Sequence, residues 1–138
     1  MGFKTIHYKL CGLDYVYLRV PVAKANGEEY ITLPMGVIEK AIAKKIIEAR
    51  VPIRGVELVF LRKTFGMSLK DLANEFGLSA AGVLKWEKGR ETRLSKVNEA
   101  AVRAFAAEKL GIAIVGRWSK LVAKPETPKR MSLNLAAA

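Results

Sequence analysis

The chain of 138 residues is 51% hydrophobic and carries a formal net charge of +11, which favours a polyanionic partner such as nucleic acid over a merely soluble basic protein. Its length suits one domain, or a small domain with an appendage, and its single cysteine excludes an internal disulfide and fits a reducing cytoplasm. No apolar run approaches the roughly 20 residues that span a bilayer, and residues 1–10 lack a signal-peptide core, so we expect no membrane contact and a cytoplasmic location, which is nucleoid-associated if the polyanionic partner is DNA.

The first 33 residues carry strand patterns. In the run 13–22, apolar Val16, Leu18 and Val20 alternate with other residues, which is typical of a half-buried strand. Asn26-Gly27 indicates a type I′ hairpin turn, so residues 29–33 are expected to return as a second strand, with a third at 3–10. So small a sheet is expected to pack on a helix or on a second subunit.

Residues 34–50 change to helical spacing. Pro34 suits the first turn of this helix and Pro52 ends it. We therefore place an N-terminal module at 1–52, and we expect the short segment 51–54 to couple it to the following domain.

Residues 54–89 show two helix-turn-helix signals. Gly66 and Gly77 end helical patterns, and Ser68 and Ser79 are placed to cap the helices that follow. Two short helices joined by a tight glycine-containing turn form a helix-turn-helix. The apolar residues expected on the inner faces are Val56, Val59, Phe60, Leu61, Leu69, Leu72, Ala73, Phe76, Val83, Leu84 and Trp86.

This stretch resembles the Cro/phage-repressor (XRE) family. The matching positions are Arg62, Gly66, Met67, Ser68, Leu72, Ala73, Gly77, Leu78, Ser79, Val83, Trp86, Glu87 and Gly89. With the strands before it, the resemblance implies an α+β fold: a small N-terminal antiparallel β-sheet plus a helix, then an all-α lambda-repressor-like helix-turn-helix domain at 53–111. Leu69 stands where the family usually has a glutamine, so the contact made by that glutamine is not carried over.

The resemblance implies a recognition helix at 79–88 that enters the major groove of double-stranded DNA. The expected base-reading residues are Ser79, Ala80, Ala81 and Lys85. Lys85 can donate to guanine, and the alanine methyls can touch thymine methyls. The alternative is that Ala80 and Ala81 only favour the helix.

The residues expected to bind DNA phosphates are Ser68, Lys70, Lys88, Arg90 and Arg93. Ser68 begins a helix, and Arg90 and Arg93 lie in the loop that follows the DNA backbone in the family. Lys70 could equally be a solvated surface residue. In the family the positions of Arg62 and Glu87 form a partly buried ion pair, so these two are expected to be structural.

After this domain, Ser95 is expected to cap a helix at 96–110 that Gly111 ends. Its expected apolar stripe is Val97, Ala101, Ala104, Phe105 and Leu110. Residues 112–138 are expected to be a partly flexible extension. Within it, 112–115 could form a strand or a packed extension, and Trp118, Leu121 and Val122 suggest a docking contact.

The N-terminal run from Leu10 to Leu18, followed by a hairpin, a helix and an XRE-type module, is similar in layout to MqsA-type antitoxins. Zinc-bearing members of that group use a pair of CxxC motifs, whereas this chain has only Cys11, so the zinc ligands are absent. His7 and Cys11 are too few for a metal site, and no catalytic motif is visible. We therefore expect no metal, no cofactor and no enzymatic activity.

Two functions remain open. The first is a sequence-specific transcriptional repressor that acts as a homodimer on a palindromic operator, because one recognition helix covers only a few base pairs. The alternative is a type II antitoxin, in which the N-terminal module neutralises a toxin protein while the helix-turn-helix autoregulates the operon. The N-terminal module would dimerise the protein in the first case and bind the toxin in the second.

Overall fold

A computed structural model describes residues 2–113, 118–122, 124 and 126–136. The elements in chain order are β1 Gly2–His7, β2 Val16–Ala25, β3 Glu28–Ile31, α1 Met35–Glu48, α2 Gly55–Thr64, α3 Leu69–Glu75, α4 Ala80–Lys88, α5 Lys96–Leu110, α6 Trp118–Leu121 and β4 Met131–Asn134. The fold is mixed α+β with a small sheet, as the sequence predicts, and the sheet has four strands. None of the helices in the described ranges is long and apolar enough to cross a membrane.

The chain divides into two compact units. Unit 1 comprises 1–42 and 128–138, and unit 2 comprises 43–127. The division falls inside α1, whereas the sequence placed the module boundary at residue 52. The helix continues to Glu48 and is followed by Arg50, whose left-handed backbone (φ 52°) turns the chain away from the helix axis.

In unit 1, β2 is the central strand. It pairs antiparallel with β1 along one edge, from Tyr17 to Val22. Since a strand has only two edges, β3 and β4 share the other: β3 pairs with the end of β2 and β4 with its beginning. The predicted alternation is confirmed, because Val16, Leu18 and Val20 are fully buried while Arg19 is exposed.

The hairpin between β2 and β3 has the predicted turn. Asn26 and Gly27 both have positive φ, at 53° and 80°, as a type I′ turn requires. This turn matches the twist of paired strands and fixes Ala25 opposite Glu28.

The sheet is not wholly antiparallel, which corrects the prediction. β4 runs parallel to β2, with Val16 opposite Met131 and Arg19 opposite Asn134. Met131 N–H donates to the Tyr15 carbonyl at 2.7 Å, and Leu135 N–H donates to the Arg19 carbonyl at 2.8 Å. Residues 131–135 were expected to belong to a loose extension. They pair instead because Met131 and Leu135 can bury their side chains in the core of unit 1.

In unit 2, the predicted helix boundaries are confirmed. Gly66, Gly77 and Gly111 all adopt left-handed φ values of 66–68° after their helices. Ser68, Ser79 and Ser95 each accept a hydrogen bond from a backbone N–H three residues later.

The predicted buried stripe of α5 is wrong, since Val97 is 69% exposed and Ala101 and Ala104 face solvent. The buried face consists of Glu99, Ala100, Val102, Arg103, Ala106 and Ala107. This face includes the Glu99–Arg103 ion pair, which the expected apolar stripe leaves out. Phe105 contacts Phe65 and Phe76 edge-to-face, with ring centroids 6.2 and 5.5 Å apart.

Two further expectations have mixed outcomes. Leu84 was placed inside but is exposed, and Trp118 is exposed while Leu121 and Val122 are half-buried. The expectation of a strand or a packed extension at 112–115 stays a prediction, because residues 114 and 115 lie outside the described residues.

Candidate nucleic-acid interface

Helix α4 has a buried side and a cationic side. Val83 and Glu87 are buried. At 100° per residue, Ala81, Lys85 and Lys88 project from the opposite side, and all three are exposed. The only acidic residue of α4 is therefore hidden, and both of its lysines face outward.

The first turn of α4 presents small residues. Ala80 and Ala81 are exposed, as a base-reading role would require. Ser79 is also exposed, but its Oγ accepts a hydrogen bond from Gly82 N–H at 3.1 Å. The hydroxyl thus caps the helix and retains its own hydrogen as a donor.

Ser68 is occupied by capping α3. Its Oγ accepts from Asp71 N–H at 3.0 Å, while Ser68 N–H donates to the Asp71 carboxylate at 3.1 Å. Hydrogen bonds from the Ser68 backbone N–H and, second, from the Ser68 side chain lower the pKa of Asp71 below its usual value. A carboxylate already faces the N–H groups that a phosphate would need, so the geometry assigns Ser68 to capping and gives little support to a phosphate role.

The predicted lysines of this surface are accessible. Lys70 on α3 and Lys85 and Lys88 on α4 are all exposed. Because α4 contacts both α3 and α2, these cations belong to one packed group of helices.

The loop after α4 is attached to the beginning of α2. Gly55 N–H donates to the Gly89 carbonyl at 3.3 Å, and Val56 N–H donates to the Arg90 carbonyl at 3.2 Å. Glu91 accepts from Arg54 at 2.6 Å. The free N–H groups of α2 therefore fix the backbone of Arg90, whose side chain is exposed.

The approach of α2 to α4 at this point requires a glycine. A Cβ at Gly55 would lie 2.5 Å from the Trp86 carbonyl oxygen and 2.7 Å from those of Glu87 and Gly89. No side chain fits in that space.

Arg93 lies in the same loop, but its guanidinium is engaged. Nη2 donates to the buried Glu99 carboxylate at 3.3 Å. This contact ties the loop to α5, so Arg93 has a structural task that the sequence prediction did not include.

Arg62 and Glu87 form the expected ion pair. Arg62 Nε and Nη2 donate to the two carboxylate oxygens at 2.6 and 3.0 Å, and Nη1 donates to the Met67 carbonyl at 3.0 Å. The two side chains are only 15% and 7% exposed. The hydrogen bonds to Glu87 raise the pKa of Arg62 above its ordinary value, with burial opposing. The bridge joins α2, the turn after it and α4.

Sequence reasoning missed two other buried ion pairs. Glu57 is fully buried and accepts from Arg54 at 2.6 Å. Arg103, also fully buried, donates to Glu99 at 3.2 Å and to the Val51 and Leu121 carbonyls at 2.8 and 3.0 Å. Burial lowers the pKa of Arg103, and the nearby Glu99 opposes this effect. The signal available in the sequence was the spacing of opposite charges three and four residues apart.

His7 and Cys11 do not gain the partners that a metal site would need. Within the described part of the chain, no group of three or more His, Cys, Asp or Glu side chains could hold a metal ion. His7 Nε2 donates to the Asp14 carbonyl, and Cys11 Sγ donates to the Tyr8 carbonyl at 3.3 Å.

Comparisons of the chain with protein families, with curated proteins and with solved structures find no match. The functional argument therefore rests on the residues themselves.

Proposed function

We propose that unit 2 binds double-stranded DNA through α4 and that the protein is a sequence-specific transcriptional regulator. The observation that carries this proposal is the two-sided character of α4, which buries Val83 and Glu87 and turns Ala81, Lys85 and Lys88 outward. The major groove is about 12 Å wide and admits a helix, and the small residues of the first turn let the helix approach the base edges.

The charge of unit 2 favours the same partner. Residues 43–127 contain seventeen lysines and arginines and nine acidic residues. Three of those acidic residues, Glu57, Glu87 and Glu99, are buried in ion pairs with arginines. Each pair removes one positive and one negative charge, so unit 2 keeps its excess of cations, and such a field attracts the DNA backbone.

The contacts divide into two kinds. Lys85 donates to guanine O6 or N7, and the methyl groups of Ala80 and Ala81 contact thymine methyls. Lys70, Lys88 and Arg90 bind phosphates and set the register. Arg90 is the strongest phosphate candidate because its backbone is fixed by the N-terminus of α2.

Sequence-specific regulation also requires two copies of the protein on the DNA. One helix reads only a few base pairs, so the protein would act as a homodimer on a palindromic operator, with half-sites about 10 base pairs apart. Occupying promoter DNA would then repress transcription.

The test selects bound duplexes from a random pool and then measures their affinity by fluorescence anisotropy at several salt concentrations. A palindromic motif is expected. Lys85→Ala should relax the preference at one base position per half-site, whereas Arg90→Ala should weaken all sequences and reduce the salt slope by about 1. Lys44→Ala, an exposed lysine on α1, is the control and should change neither. Equal affinity for selected and scrambled duplexes would refute sequence-specific regulation.

A second candidate is favoured by unit 1, which has its own buried core and supplies none of the DNA contacts proposed above. In this alternative the protein is an antitoxin whose unit 1 neutralises a toxin. Co-expression with the product of an adjacent small gene tests it: a stable complex that survives Lys85→Ala and Arg90→Ala supports the antitoxin. Purification of the full chain as a homodimer, without that product, contradicts it.

A further inference from the structure

The outer face of the sheet in unit 1 carries a cleft unrelated to the DNA-binding proposal. Strand alternation and register place Tyr17 and Arg19 of β2 on this face, next to Thr5 of β1 and to Ser132 and Asn134 of β4. The cleft has a volume of about 270 Å³. Its polar and aromatic lining consists of Thr5, Tyr17, Arg19, Arg130, Ser132 and Asn134.

Aromatic rings hold both arginines of this cleft. The Arg130 guanidinium carbon lies 4.0 Å from the centroid of the Tyr17 ring, and that of Arg19 lies 4.9 Å from the centroid of Phe3. Arg130 Nε also donates to Ser132 Oγ at 3.1 Å. A guanidinium held against a ring keeps the N–H groups at its edge available, so Arg130 retains its terminal N–H groups as donors although its Nε is used by Ser132.

Tyr17 itself is not open to a stacking ligand. His7 lies against it with ring centroids 4.3 Å apart and planes only 8° from parallel. Since a ring has two faces, His7 occupies one and Arg130 the other. A nucleobase therefore cannot stack on Tyr17, and the recognition chemistry of the cleft is that of its cations and hydroxyl groups.

The charges of the cleft are unbalanced. No acidic side chain lines it, and among the described residues neither Arg19 nor Arg130 forms an ion pair. Thr5 and Ser132 supply hydroxyl groups, and Asn134 supplies an amide. Two guanidinium groups match the two negative charges of a phosphomonoester better than the single charge of a carboxylate or a phosphodiester.

We propose that this cleft binds a small phosphomonoester through Arg19 and Arg130. The ligand's phosphate sits between the two guanidinium groups, with Thr5, Ser132 and Asn134 completing its hydrogen bonds. This site does not depend on the DNA-binding proposal, because all its residues belong to unit 1.

The experiment titrates the full chain with glycerol 3-phosphate at constant ionic strength and follows arginine Nε–Hε and backbone amide signals by NMR. Saturable shifts are expected at Arg19, Arg130 and the amides of β4. Arg19→Gln and Arg130→Gln should each weaken binding by about tenfold or more, because each removes a charge-assisted hydrogen-bonding group. Arg130→Lys, which keeps the charge but loses the planar fork, should fall between Arg130→Gln and the unchanged protein.

Three controls make the result decisive. Lys24→Gln, on an exposed lysine of β2 outside the cleft lining, should leave binding unchanged. Dimethyl phosphate, which has one charge, should bind at least several-fold more weakly. Retained dispersion of the β1 and β2 amide signals that are distant from the substituted residue shows that the sheet remains folded.

The proposal is overturned if glycerol 3-phosphate shifts only signals of unit 2, or if sodium chloride alone reproduces the shifts. It is also overturned if the arginine variants lose DNA affinity without any phosphomonoester binding in the unchanged protein. In that case the cleft would serve the DNA backbone. Failure of the DNA-binding proposal would instead appear in the Lys85 and Arg90 variants.

Discussion

The Arg62 guanidinium holds three parts of unit 2 together. It binds both carboxylate oxygens of Glu87 on α4 and the Met67 carbonyl in the turn before α3. Its planar, bidentate geometry also fixes the direction of α4 relative to α2, which a lysine in this place would not do. The orientation of the surface that we propose for DNA therefore depends on this buried pair.

Arg62→Met should lower the free energy of unfolding by about 3–5 kcal/mol, because the Glu87 carboxylate would remain buried without its partner. Arg62→Met combined with Glu87→Leu removes both charges and should recover much of that loss. Urea unfolding followed by the fluorescence of the two tryptophans measures both variants. If the single substitution costs less than about 1 kcal/mol, the pair behaves as a surface contact and our account of it is wrong.

The sequence indicated Arg62 and Glu87 because they fall on a recognisable pattern. It did not indicate Glu99 and Arg103, although opposite charges four residues apart can pair on a helix. Such pairs are usually exposed, and burial depends on partners that are distant in sequence. Here those partners are the carbonyls of Val51 and Leu121, which helical periodicity cannot reveal.

At the scale of whole elements, the crossing of α2 and α4 depends on Gly55. The three carbonyl oxygens that surround its missing side chain come from the C-terminal end of α4 and the residue after it. The same crossing lets the N-terminus of α2 bind the loop that carries Arg90. A change at Gly55 therefore affects both packing and the position of a proposed phosphate contact.

Gly55→Ala should destabilise unit 2 by about 1–3 kcal/mol, the range for overpacking a close contact. Gly36→Ala is the matched control, because Gly36 lies in α1 with no atom within 4 Å of an added Cβ. It should be neutral or up to about 1 kcal/mol more stable, since alanine favours a helix over glycine. Thermal unfolding of the two variants checks this, and equal effects would show that the crowding at Gly55 is not decisive.

The helices of unit 2 were predictable because their ends carry strong local signals. Left-handed glycines mark the C-terminal ends of α2, α3 and α5, and serine caps mark the starts of α3, α4 and α5, in the sequence and in the structure. The face that each helix buries was less predictable. Leu84 and Val97 are exposed, while the buried faces of their helices include Glu87 and Glu99, which an apolar pattern leaves out.

At the scale of the whole molecule, unit 1 is assembled from the two ends of the described chain. β4 follows unit 2 in sequence but pairs with the beginning of β2. Local patterns identified β1, β2 and the hairpin. They gave no sign of β4, because four residues without a neighbouring turn look like any short loop, and their pairing depends on a strand more than 110 positions earlier.

Deletion of residues 128–138 should loosen unit 1 and leave unit 2 folded. The deletion removes Met131 and Leu135 from the core, and burying each such side chain contributes about 1.5–3 kcal/mol. Hydrogen exchange measured by mass spectrometry should show faster exchange in β1 and β2, with α2–α5 unchanged. Equal protection of β2 in the full and shortened chains would mean that β4 adds nothing to the sheet.

At the beginning of α4, one residue caps the helix and different residues present their side chains to solvent. Ser79 is committed to the helix cap, whereas the methyl groups of Ala80 and Ala81 are exposed to solvent. Ala80 and Ala81 therefore tolerate substitution by other residues, whereas Gly55, Arg62 and Glu87 do not. Natural variation, or a designed library, can rewrite the chemistry displayed by this turn while the folding of the helices beneath it is preserved.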